Sequence, residues 1–360
     1  MFLVVSELTQ SDDVIKAQVK ETPGSRGLMN NTMNTKLVGV LVEQRQNIEQ
    51  QMKGYKFSRE AQRKPPEGSR AGGRRSTREK CHCHFLEVRI HFHRIPKKCG
   101  VVSSHPGTFY HYEPLHDFGV KQIRHGEEAA QAVRNLRHLL DCEYGEMEHL
   151  IEHGRSFKCV FNQNKALWSQ CKTLPDLCRK PEFLSPFCSL FPFQSLKTVR
   201  LRLNLTEELL EDKKLGVRLL YLVRDPRGTL HSRRNKNWCS RKDCNDPETL
   251  CKDLVRDYIT ASVFRRKFPN SFRAVRYEDI SFNVFHETKE LLDFFRLDFH
   301  PDIQKFLQTH TARSKGNAYS TFRDSKAAPP STGRRRCPGK RRSGSRACAR
   351  RPCGCGVRVG

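Results

Sequence analysis

In the stretch Arg224-Asp225-Pro226-Arg227-Gly228-Thr229-Leu230-His231-Ser232, two side chains can grip a phosphate together. Arg224 offers a forked, charge-assisted contact and Ser232 a hydroxyl one helical turn further on. Asp225 is better suited to bracing the turn than to meeting a ligand. A second candidate is Glu113, in Tyr112-Glu113-Pro114. A carboxylate beside Tyr110 and Tyr112, in a site that closes over substrate, is pushed towards the working range of a general base; the plainer reading is a glutamate capping a turn before Pro114. His116 and His231 are second-choice bases.

These residues need a scaffold. Residues 217–223 form a nearly continuous apolar run, which suits a strand buried on both faces of a parallel sheet. Pro226 and Gly228 then force a turn, and residues 229–236 read as a helix. Charge therefore collects at the carboxyl end of a buried strand, where open α/β sheets bind ligands. Helices are predicted over 127–140 (Ala130, Val133, Leu136 and Leu140 inward), 147–151, 206–214 (capped by Thr206), 282–295 and 301–310. A longer helix over 247–268 follows Asp246, with Leu250, Leu254, Tyr258 and Ala261 on one face. Strands are predicted over 86–92, 198–203 and 272–277, and an aromatic, proline-punctuated loop over 183–193. The alternation points to an α/β domain with a parallel, doubly wound sheet.

Residues 224–232 resemble the 3′-phosphate-binding motif of the Golgi carbohydrate sulfotransferases that sulfate the 6-hydroxyl of GlcNAc, Gal or GalNAc. Three further blocks agree in order and spacing: SSHPGTFYHYEPLHDF (103–118), FRAVRYEDI (272–280) and KGNAYSTFRDSKAAP (315–329). The resemblance implies a P-loop-like sulfotransferase fold, a central parallel sheet flanked by helices. It implies 3′-phosphoadenosine 5′-phosphosulfate (PAPS) as donor without a metal, and a glycan or glycosaminoglycan acceptor. Under it, Arg224, Asp225, Pro226, Arg227, Gly228, Thr229, Leu230, His231 and Ser232 form the donor motif and Glu113 is the base. Tyr277 and Glu278 support the nucleotide side, and Arg323 either closes over the nucleotide or acceptor or is an exposed loop residue. The lumenal side of the Golgi membrane is the implied location. The family carries a loop (R/K)-x-G-[ST]-[ST]-F for the 5′-phosphosulfate. Here Arg94-Ile95-Pro96-Lys97-Lys98-Cys99-Gly100 stands in its place, with charge at Lys97 and Lys98 but no such loop. The family's closing helix is also missing. Foreign sequence joined before Val101 and a frame-shifted end account for both departures most economically.

The formal net charge is +27, of which residues 53–98 and 331–360 hold +10 each. Most of the excess therefore belongs to the two ends, and nucleic-acid binding is disfavoured; the tail also lacks an aromatic to stack on bases. Residues 1–84 read as a disordered segment, 85–329 as the domain, and 330–360 as a basic low-complexity tail. The apolar windows 1–5 and 37–42 fall short of the ~18 residues that span a membrane, so neither anchor nor signal peptide is read. Of fifteen cysteines, eight lie between Cys142 and Cys251, which favours disulfides in an oxidising lumen over zinc or buried thiols. Cys81, His82, Cys83 and His84 read as incidental, and Asn204 opens a glycosylation sequon. The chemistry leaves three classes open: a PAPS-dependent sulfotransferase, a catalytically silent module of that fold, and a basic nucleic-acid binder.

Overall fold

The computed structural model describes residues 2–7, 29–53, 83–85, 100–233, 239, 244 and 246–311. The predicted strand at 86–92, Lys97, Lys98, Arg323 and the basic tail lie outside them. The protein is mixed α/β, with one sheet and helices around it. Its strands are β1 (Phe2–Glu7), β2 (Cys83–Phe85), β3 (Thr108–Tyr112), β4 (Phe193–Thr198), β5 (Arg218–Val223) and β6 (Phe272–Arg276), in the order β3-β4-β1-β5-β6, with β2 beside β1.

Two pairs are parallel as expected, β3 with β4 and β5 with β6. The centre is not. β1 runs antiparallel to β4, with Phe2 opposite Thr198 and Glu7 opposite Phe193, and antiparallel to β5, with Phe2 opposite Tyr221. The wholly parallel sheet is thus corrected to a mixed one. Phe-Leu-Val-Val is a strand-forming run, and a long connection to the next described strand leaves either direction topologically open.

The segment expected to be disordered also contributes a helix, Met29–Gln51. Leu41, Gln44, Ile48 and Met52 recur every three or four residues there and are buried. Polar composition hid this stripe because it is only one residue wide. The 183–193 stretch, read as a loop, is mostly a helix, Pro181–Ser189. Pro181 suits a first helical position, and burial of Phe183, Leu184 and Phe187 holds the helix despite Pro186 inside it.

The strand predicted at 198–203 lies earlier, as β4, because its buried Gln194, Ser195 and Lys197 disguise it. Thr206 does not cap the following helix; its hydroxyl donates to the Leu203 carbonyl at 2.7 Å. Asp246 does cap Pro247–Lys267, accepting from the Thr249 backbone N–H at 2.8 Å. That helix turns a different face inward, however. Tyr258 is exposed, and the buried positions are Cys251, Asp253, Asp257, Ala261 and Phe264. In Glu127–Leu140 the inner stripe is likewise Ala129, Ala132, Val133, Leu136, Leu139 and Leu140, with Ala130 outside. Three disulfides close loops within the domain: Cys142–Cys188, Cys171–Cys178 and Cys239–Cys244.

Candidate functional site

Since β4 and β5 both oppose β1, they point the same way. The carboxyl ends of β3, β4, β5 and β6 therefore meet at one sheet edge, where ligands of open α/β sheets bind. Glu113 follows β3, Arg200 follows β4, Arg224 follows β5, and Tyr277 and Glu278 follow β6.

At the end of β5 the helix Pro226–Arg233 begins three residues earlier than expected, with Pro226 in its first turn. Asp225 organises the turn: its carboxylate accepts from the Arg227 backbone N–H at 2.8 Å and pairs with the Arg227 guanidinium at 2.5 Å. Burial pushes the Asp225 carboxyl up, but Arg227 and the backbone N–H groups of Arg227 and Gly228 hold it below the usual carboxylate range. Its own N–H donates to Glu278 at 3.0 Å, and Thr229 donates its N–H to the Asp225 carbonyl at 3.0 Å. Arg224 lies over the Tyr277 ring, 4.9 Å from the centroid.

Gly228 is buried against Arg224; a Cβ built there would sit 3.4 Å from the guanidinium Nε and Nη2. Ser232 is four residues further along the helix, on the same face as Gly228 and about 6 Å along the axis. Arg224 thus packs against Gly228, and Ser232 lies one turn further along that helix face. Leu230 is half-buried, and His231 lies in the helix with its side chain outside the described set. The Arg233 guanidinium donates to the Cys244 carbonyl at 3.1 Å, tying the helix end to the Cys239–Cys244 disulfide.

The end of β3 is built differently. Glu113 has φ of +41°, a conformation that L residues rarely adopt and that costs of order 1–3 kcal/mol. Oε1 accepts from Lys197 Nζ and Oε2 from Arg200 Nη1 at 2.5 Å. Lys197 stands opposite Tyr112 on β4, is wholly buried, and lies 5.3 Å from the Tyr112 ring centroid. Arg200 is anchored in turn by donating Nε to the Gly119 carbonyl at 2.6 Å. Tyr110 and Tyr112 are neighbours as expected, at 6.4 Å between rings, but two cations rather than aromatic faces dominate this carboxylate.

His116 stacks on Phe157 at 3.7 Å and shares a hydrogen bond with His153 at 2.9 Å. Burial, then the Arg200 charge, pushes its pKa down to about 4, so at neutral pH it is an uncharged ring.

Sequence reading missed Lys197 and Arg200, and with them a network behind β4 and β5. Arg124 grips Asp253 with two bonds, at 3.2 and 2.9 Å, and Arg202 pairs with Asp257 at 2.5 Å. Tyr221 donates its hydroxyl to Asp257 at 3.2 Å. The available signal was the run Lys197, Arg200 and Arg202 inside an otherwise apolar stretch. Asn204 is exposed while Thr206 of its sequon is buried. Among the described residues no helix is long and apolar enough to cross a membrane, and no group of three or more His, Cys, Asp or Glu is placed to hold a metal ion.

In sequence the chain is similar to carbohydrate sulfotransferase 1 of Danio rerio, 26% identical over 276 residues, 62% of this chain and 66% of that protein. It is similar to carbohydrate sulfotransferase 1 of Mus musculus, 29% over 275 residues, covering 62% and 67%. To carbohydrate sulfotransferase 5 of Homo sapiens it is 26% identical over 251 residues, covering 58% and 60%. The chain spans about two thirds of the length of these relatives. No family model matches it, and no solved structure does.

Proposed function

We propose, from the premise that the chain is related to carbohydrate sulfotransferases over about three fifths of its length, that it transfers a sulfuryl group to the 6-hydroxyl of GlcNAc, Gal or GalNAc in a glycan. The donor is PAPS, and the setting is the lumenal face of the Golgi membrane. The observation that carries this reading is the β5 corner. A guanidinium is packed on a bare glycine, with a hydroxyl on the same helix face, at the edge that also holds Glu113. Arg224 and Ser232 suit the 3′-phosphate of such a nucleotide; Asp225, Pro226, Arg227, Gly228, Thr229, Leu230 and His231 shape the turn and helix that present them.

In the transfer, a bond forms between the sugar oxygen and sulfur while the bond from sulfur to the bridging phosphate oxygen breaks. The electron pair stays on the phosphate of adenosine 3′,5′-bisphosphate. The hydroxyl proton passes to the Glu113 carboxylate, and positioning and charge stabilisation supply most of the rate.

A second reading has its own support. The resembled family carries a loop for the 5′-phosphosulfate that is missing ahead of Gly100, and here the central strand β1 runs against β4 and β5, so its amino end meets the ligand edge. Under that reading the chain is a binding module that holds nucleotide and glycan without transfer. Calorimetry with adenosine 3′,5′-bisphosphate tests both: binding in wild type that Arg224→Ala weakens about 10- to 100-fold, with melting temperature retained, is expected. Unchanged affinity in the variant refutes the donor site. Labelled sulfate transfer to keratan or chondroitin oligosaccharides separates enzyme from module.

A further inference from the structure

We infer that Lys197 and Arg200 are positioning residues that clamp Glu113 in one ionised orientation, so that the carboxylate is ready to take the acceptor proton. The inference rests on Glu113 being the base of the preceding subsection. Three observations carry it. Lys197 is a lysine with no exposed side-chain surface, a rare placement that nature tolerates when the amine is paired. Each carboxylate oxygen of Glu113 has its own cation, Oε1 that of Lys197 and Oε2 that of Arg200. The residue they hold has a left-handed backbone, φ +41°, in a conformation that surrounding contacts must maintain.

Both cations come from β4 or the turn after it, and the glutamate from the turn after β3. The parallel register that sets Tyr112 against Lys197 therefore sets the clamp. Each carboxylate oxygen can accept more than one hydrogen bond, so pairing with a cation does not by itself exclude a substrate hydroxyl.

Among the described residues, four charged or titratable side chains stand around the carboxylate. Lys197 and Arg200 face it from the β4 side. His116 stands on its own segment, and His153 reaches His116 from the helix Glu148–Ser156. His116 is uncharged at neutral pH, so it adds no positive charge beside the two cations.

The test uses the full chain with ¹³C-carboxyl glutamate, the Glu113 resonance being assigned by its loss in Glu113→Gln. The titration midpoint of Glu113 is expected to rise by about one unit or more in Lys197→Met, and to return in Lys197→Arg. In sulfate transfer, Lys197→Met is expected to lower kcat about tenfold with the acceptor KM little changed, and Lys197→Arg to restore it. An unmoved midpoint in Lys197→Met overturns the inference, as does a loss confined to the acceptor KM with kcat unchanged. Should Lys197→Met fail to fold, Arg200→Gln reads the same midpoint from the other oxygen. Full transfer by Glu113→Gln refutes the base assignment itself, and leaves the midpoint shift to judge the clamp separately.

Discussion

The two corners of the ligand edge are assembled by opposite strategies. At β5, nine consecutive residues supply the turn, its cap, the glycine and the two candidate phosphate ligands, while Tyr277 and Glu278 reach them from β6 and the helix after it. At β3, Glu113 meets partners 84 and 87 residues away, and its neighbourhood depends on how β3 and β4 are held together. A local motif needs little beyond its own turn to form, whereas a non-local cluster exists only once the sheet and the layer behind it are complete. Perturbations of the core should therefore disturb the β3 corner before the β5 corner.

The largest effect should come from Glu113 itself. Glu113→Gln is expected to lower sulfate transfer by about 10²–10⁴-fold while leaving adenosine 3′,5′-bisphosphate affinity within about twofold, read by single-turnover transfer and calorimetry. Parallel loss of nucleotide affinity would erase the separation between the corners.

Next is the Cys142–Cys188 bridge, which closes a 46-residue separation and stands behind β3 and β4. Gln194 of β4 donates to the Cys188 carbonyl at 3.0 Å and pairs with His111 of β3 at 3.2 Å. Replacing both cysteines by serine is expected to cost about 4 kcal/mol by loop entropy, measured by urea unfolding, and to reduce transfer more than nucleotide binding. The Cys239–Cys244 bridge spans five residues, and its removal is worth about 2 kcal/mol; through Arg233 it should weaken the nucleotide corner instead.

Between these lies an acid effect. Burial pushes the His111 pKa down to about 4, from an ordinary 6.5. The unfolded chain thus takes the proton first, so stability is complete above about pH 6.5 and falls as pH drops towards 4. This one group accounts for about 3 kcal/mol over that window. Urea midpoints between pH 7 and 4.5 should show the slope in wild type and a shallower one in His111→Asn.

The same contrast explains what could be read beforehand. The β5 strand, the turn, the long helix after Asp246 and the helices near 284–295 and 301–311 announce themselves through short-range periodicity, caps and breakers. So does the type and order of residues in 224–232. β4 was misplaced because its polar residues are satisfied by distant partners: Gln194 by Cys188 and His111, Lys197 by Glu113. The inner face of Pro247–Lys267 was misread for the same reason, since Asp253 and Asp257 are buried only because Arg124 and Arg202 meet them. The apolar run at Phe2–Val5 suits a strand, but its place in the sheet depends on an opening between β4 and β5, which only the assembled fold supplies.

That insertion has a practical corollary for protein engineering. With Phe2 level with Thr198 and Tyr221, anything fused ahead of it is delivered to the rim where Arg224 and Glu113 are gathered. Under the proposed donor site, an acidic purification tag there would compete with nucleotide for the guanidinium, and a fluorophore at the same point would report occupancy.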